Sequence, residues 1–446
     1  MPGGLRTDLY ELNMTASYLR REMHDVATFS LFIRTMPRNR GFLVAAGLDD
    51  CLGYLEQLSF EDDDLEYLRE LGFRPDDLDA FRELRFTGDV WAVPEGRIVY
   101  PGEPLLEVRA PIPEAQLAET ALLNAITLNT TVTSKVARCV IAADGRQLVD
   151  FSLRRDQGIE ASIAVARACA IVGFAATSNV EAARRLGIPA AGTMAHSYIE
   201  AFPTEREAFN AFAEDHPTRT TFLVDTYETL AGVRTAIEVI RELSLQPPLA
   251  IRIDSGNVGK LARAAREILD GAGLPEVRIF ASGGLDEFSI HRLLADGAPI
   301  DAFGVGTLVG VSADAPYVDS VYKLVEYAGR PVSKLSLGKA TAPGAKQVFR
   351  SAEGDVIALR SERGPSGAEP LLQPVMENGR RLAPPEPLET KRDRFRRDLS
   401  RLPPSAVRIE DPVSREVPFS ETLLRLTSET RGEMLARQRS LDSGTT

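Results

Sequence analysis

The chain has 446 residues, of which 44% are apolar and 26% are charged. At roughly 100–200 residues per domain, this length suggests two to four domains with enough chain to bury a large core. The 52 basic and 64 acidic residues give a formal net charge of −12, which leaves no basic excess to neutralise a nucleic-acid backbone. We therefore expect no nucleic-acid partner, and an anionic small molecule would need a local cluster of positive charge.

The first part of the chain combines helices with short strands. The segment Glu61–Gly72 predicts a helix, because its acidic first turn suits the helix dipole and its glycine ends the helix. Three β-rich runs follow, and Pro-Glu-Gly and Pro-Gly-Glu turns separate them, which predicts a β-meander. The runs are Val90–Val93, Arg97–Tyr100 and Leu105–Val108. The segment Ala115–Arg138 then predicts one or more helices.

From about residue 146 to residue 310, short apolar runs alternate with amphipathic stretches of helical period. This alternation predicts a parallel sheet with helices on both faces. Seven such units can close into an irregular barrel, and an open doubly wound sheet is the competing interpretation. The runs are Gln147–Leu153, Ala170–Ala176, Pro189–Thr193, Thr221–Asp225, Leu249–Asp254, Val277–Ser282 and Ala302–Thr307.

The composition changes again after about residue 330, where proline and glycine become frequent. Within this part Lys391–Arg401 is a basic helical patch, which we interpret as a solvated helix face. These changes suggest three parts, residues 1–140, 141–325 and 326–446. We expect the beginning of the last part to pack back on the N-terminal domain and the remainder to be helical or irregular.

The cysteines and the N-terminal sequence indicate the cellular compartment of the protein. Cys51, Cys139 and Cys169 are far apart and odd in number, so they predict neither a disulfide framework nor a zinc site, which fits a reducing cytosol. The first residues lack a basic segment followed by an apolar one, and the most apolar stretch, Ile159–Ala176, is interrupted by charged residues. We expect a cytoplasmic protein without membrane association.

Polar or glycine-rich turns follow the predicted parallel strands. Ligands of parallel α/β proteins bind at the carboxyl ends of the strands. The turns Ser282–Gly284 and Gly304–Thr307 follow the last two strands, and their glycines would let backbone N–H groups approach a phosphate. We predict two phosphate cradles, with ordinary tight turns as the alternative.

Charged residues at the same strand ends add candidate chemistry. His196 follows the third apolar run, where an imidazole near phosphates can act as a base or as a nucleophile toward phosphorus, and a structural histidine is the alternative. Arg154, Arg155 and Arg252 carry guanidinium groups that match phosphate or carboxylate, although each can instead pair with an acid. Asp254 shares a strand face with Arg252, so it could hold sugar hydroxyls or a metal, or orient the arginine.

Ten segments, taken in order, resemble the nicotinate phosphoribosyltransferase family over about residues 5–350. An ordered set of this kind is much more specific than any single motif. The segments are TDLYELNM (7–14), DFSLRRDQG (150–158), ATSNVEAAR (176–184), GTMAHSYIEAF (192–202), LVDTYETL (223–230), IRIDSGN (251–257), ASGGLDE (281–287), GVGTLV (304–309), VYKLVE (321–326) and KLSLGKATAPGAKQVFR (334–350).

The resemblance implies an α/β fold with an irregular seven-stranded β/α barrel, an N-terminal α/β sandwich-type domain and a smaller C-terminal extension. It implies a homodimer with shared active sites. The implied reaction joins nicotinate to 5-phosphoribosyl-1-diphosphate (PRPP) and yields nicotinate mononucleotide and diphosphate for NAD synthesis. ATP is the implied co-substrate, hydrolysed through a phosphorylated histidine, and Mg²⁺ accompanies PRPP and ATP.

The same resemblance assigns roles to single residues. His196 is similar to the phosphorylated catalytic histidine, and Tyr10 to a tyrosine that reaches the neighbouring subunit's base site. The implied nicotinate contacts are Tyr10, Phe151, Ser178, Thr193 and Arg252. The implied PRPP and phosphate contacts are Arg154, Arg252, Asp254, Ser282, Gly283, Gly284, Gly304, Gly306 and Thr307. No protein cage for a metal is expected, and Mg²⁺ would lie near Asp254.

The chain departs from the family pattern at two positions. Ser152 stands where the family often has glycine, and Asp156 stands where it has a small residue, which leaves a phosphate role for Arg155 open. Nicotinamide phosphoribosyltransferase is the nearest alternative, but an acidic residue in those relatives corresponds to Ser178 here.

Three further alternatives remain. Quinolinate phosphoribosyltransferase is shorter and would need more basic residues for a dicarboxylate. Another sugar-phosphate barrel enzyme that forms a Schiff base would need a lysine at a strand end. A non-enzymatic scaffold would not need His196 or the glycine-rich turns.

Overall fold

The computed structural model describes residues 3–334 and 341–443. Residues 335–340 of the last family-like segment lie outside the described residues. The chain forms two compact units. The first unit comprises Met1–Thr131, Tyr317–Arg401 and Ser414–Thr446, and the second comprises Val132–Pro316 and Leu402–Val413. The division into three parts suggested by the composition stays a prediction.

The helices and strands are labelled in chain order. The helices are α1 (Leu9–Arg20), α2 (Leu48–Glu56), α3 (Asp62–Glu70), α4 (Pro75–Glu83), α5 (Ile112–Leu117), α6 (Glu119–Ala143), α7 (Ile159–Val172), α8 (Val180–Leu186), α9 (His196–Glu200), α10 (Glu205–Asp215), α11 (Thr229–Glu242), α12 (Val258–Gly271), α13 (Glu287–Ala295), α14 (Thr307–Gly310), α15 (Leu388–Leu399) and α16 (Glu421–Ser443), with a 3₁₀ turn at Leu153–Arg155. The strands are β1 (Val26–Ile33), β2 (Leu43–Val44), β3 (Asp89–Ala92), β4 (Ile98–Val99), β5 (Pro104–Pro111), β6 (Gln147–Asp150), β7 (Ala176–Thr177), β8 (Thr221–Leu223), β9 (Ala250–Ile253), β10 (Arg278–Ala281), β11 (Ala302–Val305), β12 (Ser320–Tyr327), β13 (Arg330–Pro331), β14 (Lys346–Arg350), β15 (Asp355–Leu359), β16 (Glu369–Pro370), β17 (Gln373–Glu377) and β18 (Arg380–Arg381). Within the described residues, no helix has the length and apolar character needed to cross a bilayer.

The helix predicted over Glu61–Gly72 is confirmed as α3. The Asp64 side chain accepts the backbone N–H of Glu61 at 2.9 Å, which caps the first turn. The acidic side chains of that turn lie at the positive end of the helix dipole. Gly72 follows the helix with a φ of +92°, a conformation that favours glycine.

An antiparallel sheet forms the core of the first unit. Its strands lie in the order β13-β12-β1-β5-β3-β17-β18. Apolar side chains of β1 and β5, such as Leu31 and Val108, are fully buried and pack with Leu12 of α1 and Leu55 of α2.

The predicted β-meander is wrong in its pairing. All three strands form, but β3 pairs directly with β5, while β4 pairs with β2. The Pro-Glu-Gly turn explains the difference, because Oε1 of its Glu95 accepts the N–H of Gly47 at 2.7 Å at the start of α2. This contact holds the chain after β3 near β2, and β17 pairs with the edge of β3 that β4 would need.

The basic patch at Lys391–Arg401 is only partly a solvated face. It forms most of α15, but Lys391, Phe395 and Asp398 are buried. Lys391 Nζ lies 2.6 Å from a carboxylate oxygen of Glu95. Burial of one side of the helix therefore gives part of the positive charge a structural role in the first unit.

A parallel sheet organises the second unit, in the order β7-β6-β11-β10-β9-β8. The alternation of apolar runs with helical stretches thus correctly predicts a parallel α/β arrangement. The described ladders form six strands, and closure into a seven-stranded barrel stays a prediction. The strands place their carboxyl ends along one edge, where the candidate site lies.

Two of the seven predicted strands differ from the structure. Most of Ala170–Ala176 belongs to α7 or to the turn after it, and only its last residue lies in β7. A short apolar run cannot distinguish a strand from a fully buried helix, and α7 is buried over most of its last two turns. The run Pro189–Thr193 contributes a single bridge, between Ala190 and Thr177.

A buried ion cluster connects α6 with α13 in the second unit. Lys135 Nζ lies 2.5 Å from Glu287 Oε2, and Arg138 Nε lies 3.1 Å from Glu287 Oε1. Lys135 also contacts Asp314 at 2.7 Å. The side chains of Lys135, Arg138 and Glu287 are almost fully buried, so their charges depend on one another rather than on water.

We expect Glu287→Ala to lower the free energy of unfolding by about 3–5 kcal/mol, because it removes the carboxylate shared by two buried cations. Urea unfolding followed by circular dichroism measures this loss. The control Glu267→Ala removes an exposed carboxylate on α12 and should change the stability by about 0.5 kcal/mol or less. A loss for Glu287→Ala no greater than the control's would contradict the structural role of the cluster.

Candidate functional site

Arg252 on β9 lies at the centre of the candidate site. Strand alternation buries Ile251 and Ile253 completely and directs Arg252 to the opposite face. The Arg252 guanidinium donates to Ser282 Oγ at 2.8 Å, to Thr193 Oγ1 at 3.0 Å and to Asp254 Oδ1 at 2.6 Å. The structure therefore brings together four residues that the sequence analysis placed at three different strand ends.

Asp254 is ionised by its surroundings. Burial opposes its negative charge, but the hydrogen bond from Ser282 and the Arg252 guanidinium outweigh burial and hold the pKa of Asp254 below its usual value. His196 adds a smaller effect in the same direction. A carboxylate held in this state can orient Arg252 and can also accept hydroxyl groups or a cation.

Asp225, at the end of the strand region of β8, was missed by the sequence analysis. Its Oδ2 accepts the N–H of Asp254 at 2.9 Å and the hydroxyl of Ser255 at 2.6 Å. Its Oδ1 is buried and has no hydrogen-bond partner among the described residues. The signal was present, since Asp225 is the last residue of the predicted strand Thr221–Asp225.

His196 begins the short helix α9 and contacts a neighbouring strand end. Its Nδ1 lies 3.1 Å from the hydroxyl oxygen of Thr226, the residue after Asp225. When Nδ1 carries the ring proton and donates it to Thr226, Nε2 has the free lone pair. The partly exposed imidazole thus has one nitrogen fixed and the other available for chemistry.

Phe151 forms an aromatic wall of the site. Its ring packs edge-on against Phe280 with centroids 5.7 Å apart, and the Arg252 guanidinium lies 5.4 Å from its centroid. Gly304 lies within β11, not in the turn after it, and a Cβ there would be 2.7 Å from the Phe151 ring. A Cβ on Gly306 would be 2.8 Å from the Phe151 carbonyl oxygen. Both glycines therefore make room for Phe151.

The Ser282–Gly284 turn requires glycine for a different reason. Gly283 has a φ of +89°, and a Cβ on it would be 1.8 Å from the Asp254 carbonyl oxygen. The turn leads into α13, whose start is capped by Asp286 through its 2.9 Å contact with the N–H of Ser289. The N-terminus of this helix therefore follows the turn that could hold a phosphate.

The remaining predicted residues are less closely connected. Ser178 follows β7 and donates its N–H to the Asp150 carbonyl oxygen at 2.8 Å. Arg154 and Arg155 are exposed in the 3₁₀ turn after β6, and Thr307 begins α14. Tyr10 belongs to the first unit, is 48% exposed, and donates to Glu11 Oε1 at 3.1 Å.

Asp156 contacts Ser152, the other residue that departs from the family pattern. Its Oδ2 is 2.9 Å from the Ser152 hydroxyl, and its Oδ1 is buried without a hydrogen-bond partner in the described part of the chain. Burial, assisted by the nearby Asp150 charge, raises the pKa of Asp156 to about 6, although the Ser152 hydrogen bond opposes the shift. Ser152 and Asp156 thus form a partly buried contact, whereas Arg154 and Arg155 are exposed.

The combination of groups at this edge suits a planar anion beside phosphates. Arg252 supplies a guanidinium next to the aromatic face of Phe151, and the turn at Gly283 exposes backbone before a helix. Asp254 and Asp225 supply carboxylate oxygens, and His196 supplies an imidazole. Positively charged donors, a flat apolar wall and a glycine turn before a helix are the components needed to hold a ring and a phosphorylated sugar together.

We expect Asp156→Asn to stabilise the protein near pH 7.5. The folded-state pKa of about 6 exceeds the ordinary value of 3.8, so the folded chain loses stability as pH rises from about 4 to 6 and does not regain it above. After allowance for the partial exposure of the side chain, the asparagine should raise the free energy of unfolding by about 1–2 kcal/mol at pH 7.5. The gain should become progressively smaller toward pH 4.5.

Urea unfolding of both proteins at the two pH values tests this difference. The control is Asp296→Asn, an exposed carboxylate after α13, which should show no pH-dependent change. An Asp156→Asn gain of equal size at both pH values would show that the carboxyl is not forced toward its neutral form.

Family models match three stretches of the chain. Models of the nicotinate phosphoribosyltransferase N-terminal domain, family and C-terminal domain match residues 5–127, 146–351 and 358–427. The last match extends the likeness beyond residue 350, where we had found no family motif.

Individual relatives cover most of the chain. The nicotinate phosphoribosyltransferase pncB2 of Mycobacterium tuberculosis is 48% identical over 417 residues, which are 92% of this chain and 89% of that protein. The Bacillus subtilis nicotinate phosphoribosyltransferase is 42% identical over 376 residues, 80% of this chain and 76% of that protein. The crystal structure of human nicotinic acid phosphoribosyltransferase superposes with a TM-score of 0.84 at 28% identity and covers 95% of this chain and 99% of that one. The chain belongs to the nicotinate phosphoribosyltransferase family.

Proposed function

We propose that this chain transfers the phosphoribosyl group of PRPP to nicotinate, with ATP hydrolysis coupled to the transfer, in the synthesis of NAD. The observation that carries the proposal is the position of the Arg252 guanidinium between the Phe151 ring and the Ser282–Gly284 turn. One side of this arginine suits an aromatic carboxylate and the other suits a phosphate. Family membership supports the same substrates.

The proposed nicotinate pocket lies against Phe151. The pyridine ring would stack on this aromatic side chain, and its carboxylate would accept hydrogen bonds from Arg252 and Thr193. Thr193 already lies 3.0 Å from an Arg252 nitrogen, so both donors approach one carboxylate from the same side. Ser178 would contribute a hydroxyl donor at the neighbouring strand end.

The proposed phosphate contacts come from the two turns after β10 and β11. Ser282, Gly283 and Gly284 precede the N-terminus of α13, where backbone N–H groups and the helix dipole favour an anion. A second set follows from β11 into α14, namely Gly304, Gly306 and Thr307. The exposed guanidinium of Arg154 is the proposed additional contact from the turn after β6.

Mg²⁺ would enter with the diphosphate of PRPP and with ATP. The carboxylates of Asp254 and Asp225 are the groups that would hold it, and the buried, unpartnered Oδ1 of Asp225 fits a ligand role. The ion supplies positive charge that balances the leaving diphosphate.

The chemistry requires positioning more than a strong protein nucleophile. The pyridine nitrogen attacks the anomeric carbon of PRPP, the bond from that carbon to the diphosphate oxygen breaks, and the diphosphate leaves with the electron pair. The sugar passes through a cation-like state, as in glycoside cleavage. Arg252 and the neighbouring donors hold the two reactants in line and neutralise the anions, which lowers the barrier without a covalent sugar intermediate.

His196 is proposed to couple ATP hydrolysis to this transfer. Its Nε2 would attack the γ-phosphorus of ATP, the bond to the β-phosphate oxygen would break, and ADP would leave. Water would later remove the phosphoryl group and release phosphate. The Thr226 contact at Nδ1 supports this role, because it fixes the ring, and when Nδ1 is the donor the lone pair lies on Nε2.

We expect His196→Ala to abolish phosphoryl labelling and nicotinate-stimulated ATP hydrolysis while a slow, ATP-independent formation of nicotinate mononucleotide persists. The slow reaction persists because Arg252 and the turns still position the reactants. The measurement uses γ-³²P-labelled ATP and Mg²⁺, followed by tests for acid-labile, base-stable label and by chromatography of the mononucleotide.

The control is His291→Ala, an exposed histidine on α13, which should label like the unaltered protein. Equal labelling of a folded His196→Ala protein, or no label on the unaltered protein, would exclude the phosphohistidine. Absence of mononucleotide from nicotinate and PRPP under all conditions would exclude the transferase itself.

Ser178 is the proposed basis for preferring nicotinate to nicotinamide. We expect Ser178→Asp to lower kcat/KM for nicotinate by about tenfold or more, because a carboxylate at this half-buried position repels the substrate's carboxylate. In the neutral control Ser178→Asn, the asparagine side chain has nearly the same shape as aspartate. This variant should lower kcat/KM for nicotinate less than Ser178→Asp does. Equal kcat/KM values for the two variants, measured with nicotinate and with nicotinamide, would show that Ser178 does not determine the choice of substrate.

We further propose a homodimer in which Tyr10 reaches the base site of the second copy. Tyr10 is suited to such a role because nearly half of its surface is exposed on the first unit. Burial of the hydroxyl region, with Glu119 and Glu11 nearby, raises the pKa of Tyr10 and keeps its phenol neutral. A neutral phenol can pack against a pyridine ring without adding a repulsive charge.

A further inference from the structure

The Ser152 hydroxyl lies between two carboxylates of the second unit. Its oxygen is 2.6 Å from Asp150 Oδ1 and 2.9 Å from Asp156 Oδ2. A serine hydroxyl has one proton, so it can donate to only one of these carboxylates at a time. The shorter distance favours Asp150 as the acceptor, and the Ser152 N–H also donates to the same Asp150 oxygen, at 2.9 Å. The contact with Asp156 then needs a proton from Asp156 itself.

Protonation of Asp156 gives every contact of a buried hydrogen-bond chain a donor and an acceptor. Asp156 donates to Ser152, and Ser152 donates to Asp150 Oδ1. The other Asp150 oxygen accepts the Thr177 hydroxyl at 2.7 Å, and Thr177 accepts the N–H of Asn179 at 3.0 Å. Asp150, Ser152, Thr177 and Asn179 are each at most 2% exposed. Water has little access to replace a missing partner here, so each unmade hydrogen bond is costly.

The chain of hydrogen bonds connects two loops that carry proposed substrate contacts. Ser152 and Asp156 lie on either side of the 3₁₀ turn that exposes Arg154. Thr177 is the last residue of β7, and Ser178 follows it directly. Shared contacts with one carboxylate at the end of β6 therefore fix the two loops relative to each other.

The helix α14 packs against the same pair of side chains. A Cβ on Gly310 would be 2.0 Å from Asp156 Oδ1 and 2.8 Å from Ser152 Cβ, so the backbone of this helix lies directly beside both residues. The helix begins at Thr307, a proposed phosphate contact. A displacement of Asp156 would therefore disturb the loop of Thr307 as well as the turn of Arg154.

The surroundings of Asp156 favour its protonated form. Burial, assisted by the charge of Asp150, raises the pKa of Asp156 to about 6. The hydrogen bond from Ser152 can oppose this shift only by leaving Asp150 without that donor. The Cys169 thiol of α7 also interacts with Asp156, but burial raises the pKa of the thiol, which therefore stays neutral. The two arginines of the turn are exposed, so water screens their charge.

We propose that the protonated carboxyl of Asp156 is a positioning group for the PRPP site and acts through Ser152. The inference rests on the proposed function, because PRPP is the ligand whose site the group positions. Loss of the proton leaves the Ser152 contact without a donor and places two negative charges around one hydroxyl, which displaces the turn of Arg154. PRPP should therefore bind more weakly as the pH rises. Ser152 and Asp156 both depart from the family pattern, so that pattern does not supply this contact.

Isothermal titration with PRPP and Mg²⁺, without nicotinate or ATP, measures binding without turnover at pH 5.5, 6.5 and 7.5. Asp156→Asn keeps a donor to Ser152 at every pH, because its amide group replaces the carboxyl proton. We expect the Kd of the unaltered protein, divided by that of Asp156→Asn, to rise by about threefold or more between pH 5.5 and pH 7.5. This ratio cancels the titration of PRPP itself. Asp156→Ala removes the donor and should bind PRPP more weakly than Asp156→Asn at all three pH values.

The control is Asp296→Asn, which changes an exposed carboxylate after α13 and should have the Kd of the unaltered protein at each pH. A merely structural role for Asp156 would alter the melting temperature but leave the Kd ratio independent of pH, and this result would overturn the inference alone. Equal PRPP binding by Asp156→Asn and Asp156→Ala would also overturn it. Absence of PRPP binding by the unaltered protein would overturn the proposed function together with the inference. Thermal melting verifies that each variant is folded.

Discussion

Three loops of the second unit meet at the guanidinium of Arg252, which donates to Thr193, Asp254 and Ser282. The planar guanidinium has donors in several fixed directions, so one side chain can determine the relative positions of all three loops. A lysine at this position would present one flexible ammonium and could not maintain the same set of contacts. Only Asp254 among these partners is charged. The partners fix the orientation of the guanidinium, which keeps part of its positive charge for a ligand.

The parallel sheet makes this convergence possible. Its strands carry residues that are far apart in sequence to one edge, and the buried isoleucines of β9 anchor the strand that bears Arg252. The carboxyl ends combine arginine, carboxylates and imidazole.

Glycine has two distinct physical roles in the candidate site. At Gly283 both the left-handed backbone and the carbonyl of Asp254 exclude a side chain. At Gly304 the constraint is the ring of Phe151, which occupies the space of a Cβ. The sequence presents both as glycine-rich turns after strands, because the type of residue does not reveal which neighbour needs the space. An aromatic wall and a phosphate turn are therefore encoded by similar local patterns.

The sequence by itself determined the parallel α/β character of residues 146–310, most strand positions and the strand ends where polar residues gather. These features follow from local periodicity and turn chemistry, which each segment carries independently of its neighbours. Their positions at strand ends identified His196, Arg252 and Asp254 as candidates, and the family resemblance assigned their roles. Only the tertiary structure decided that Ala170–Ala176 begins within a helix and reaches a strand only at its last residue, and that Lys391 is buried against Glu95. It also revealed Asp225 beneath Asp254 and turned Asp156 toward Ser152. Each of these outcomes depends on a partner from another segment, and burial and pairing energies are properties of the two groups together, so one segment's pattern cannot specify them.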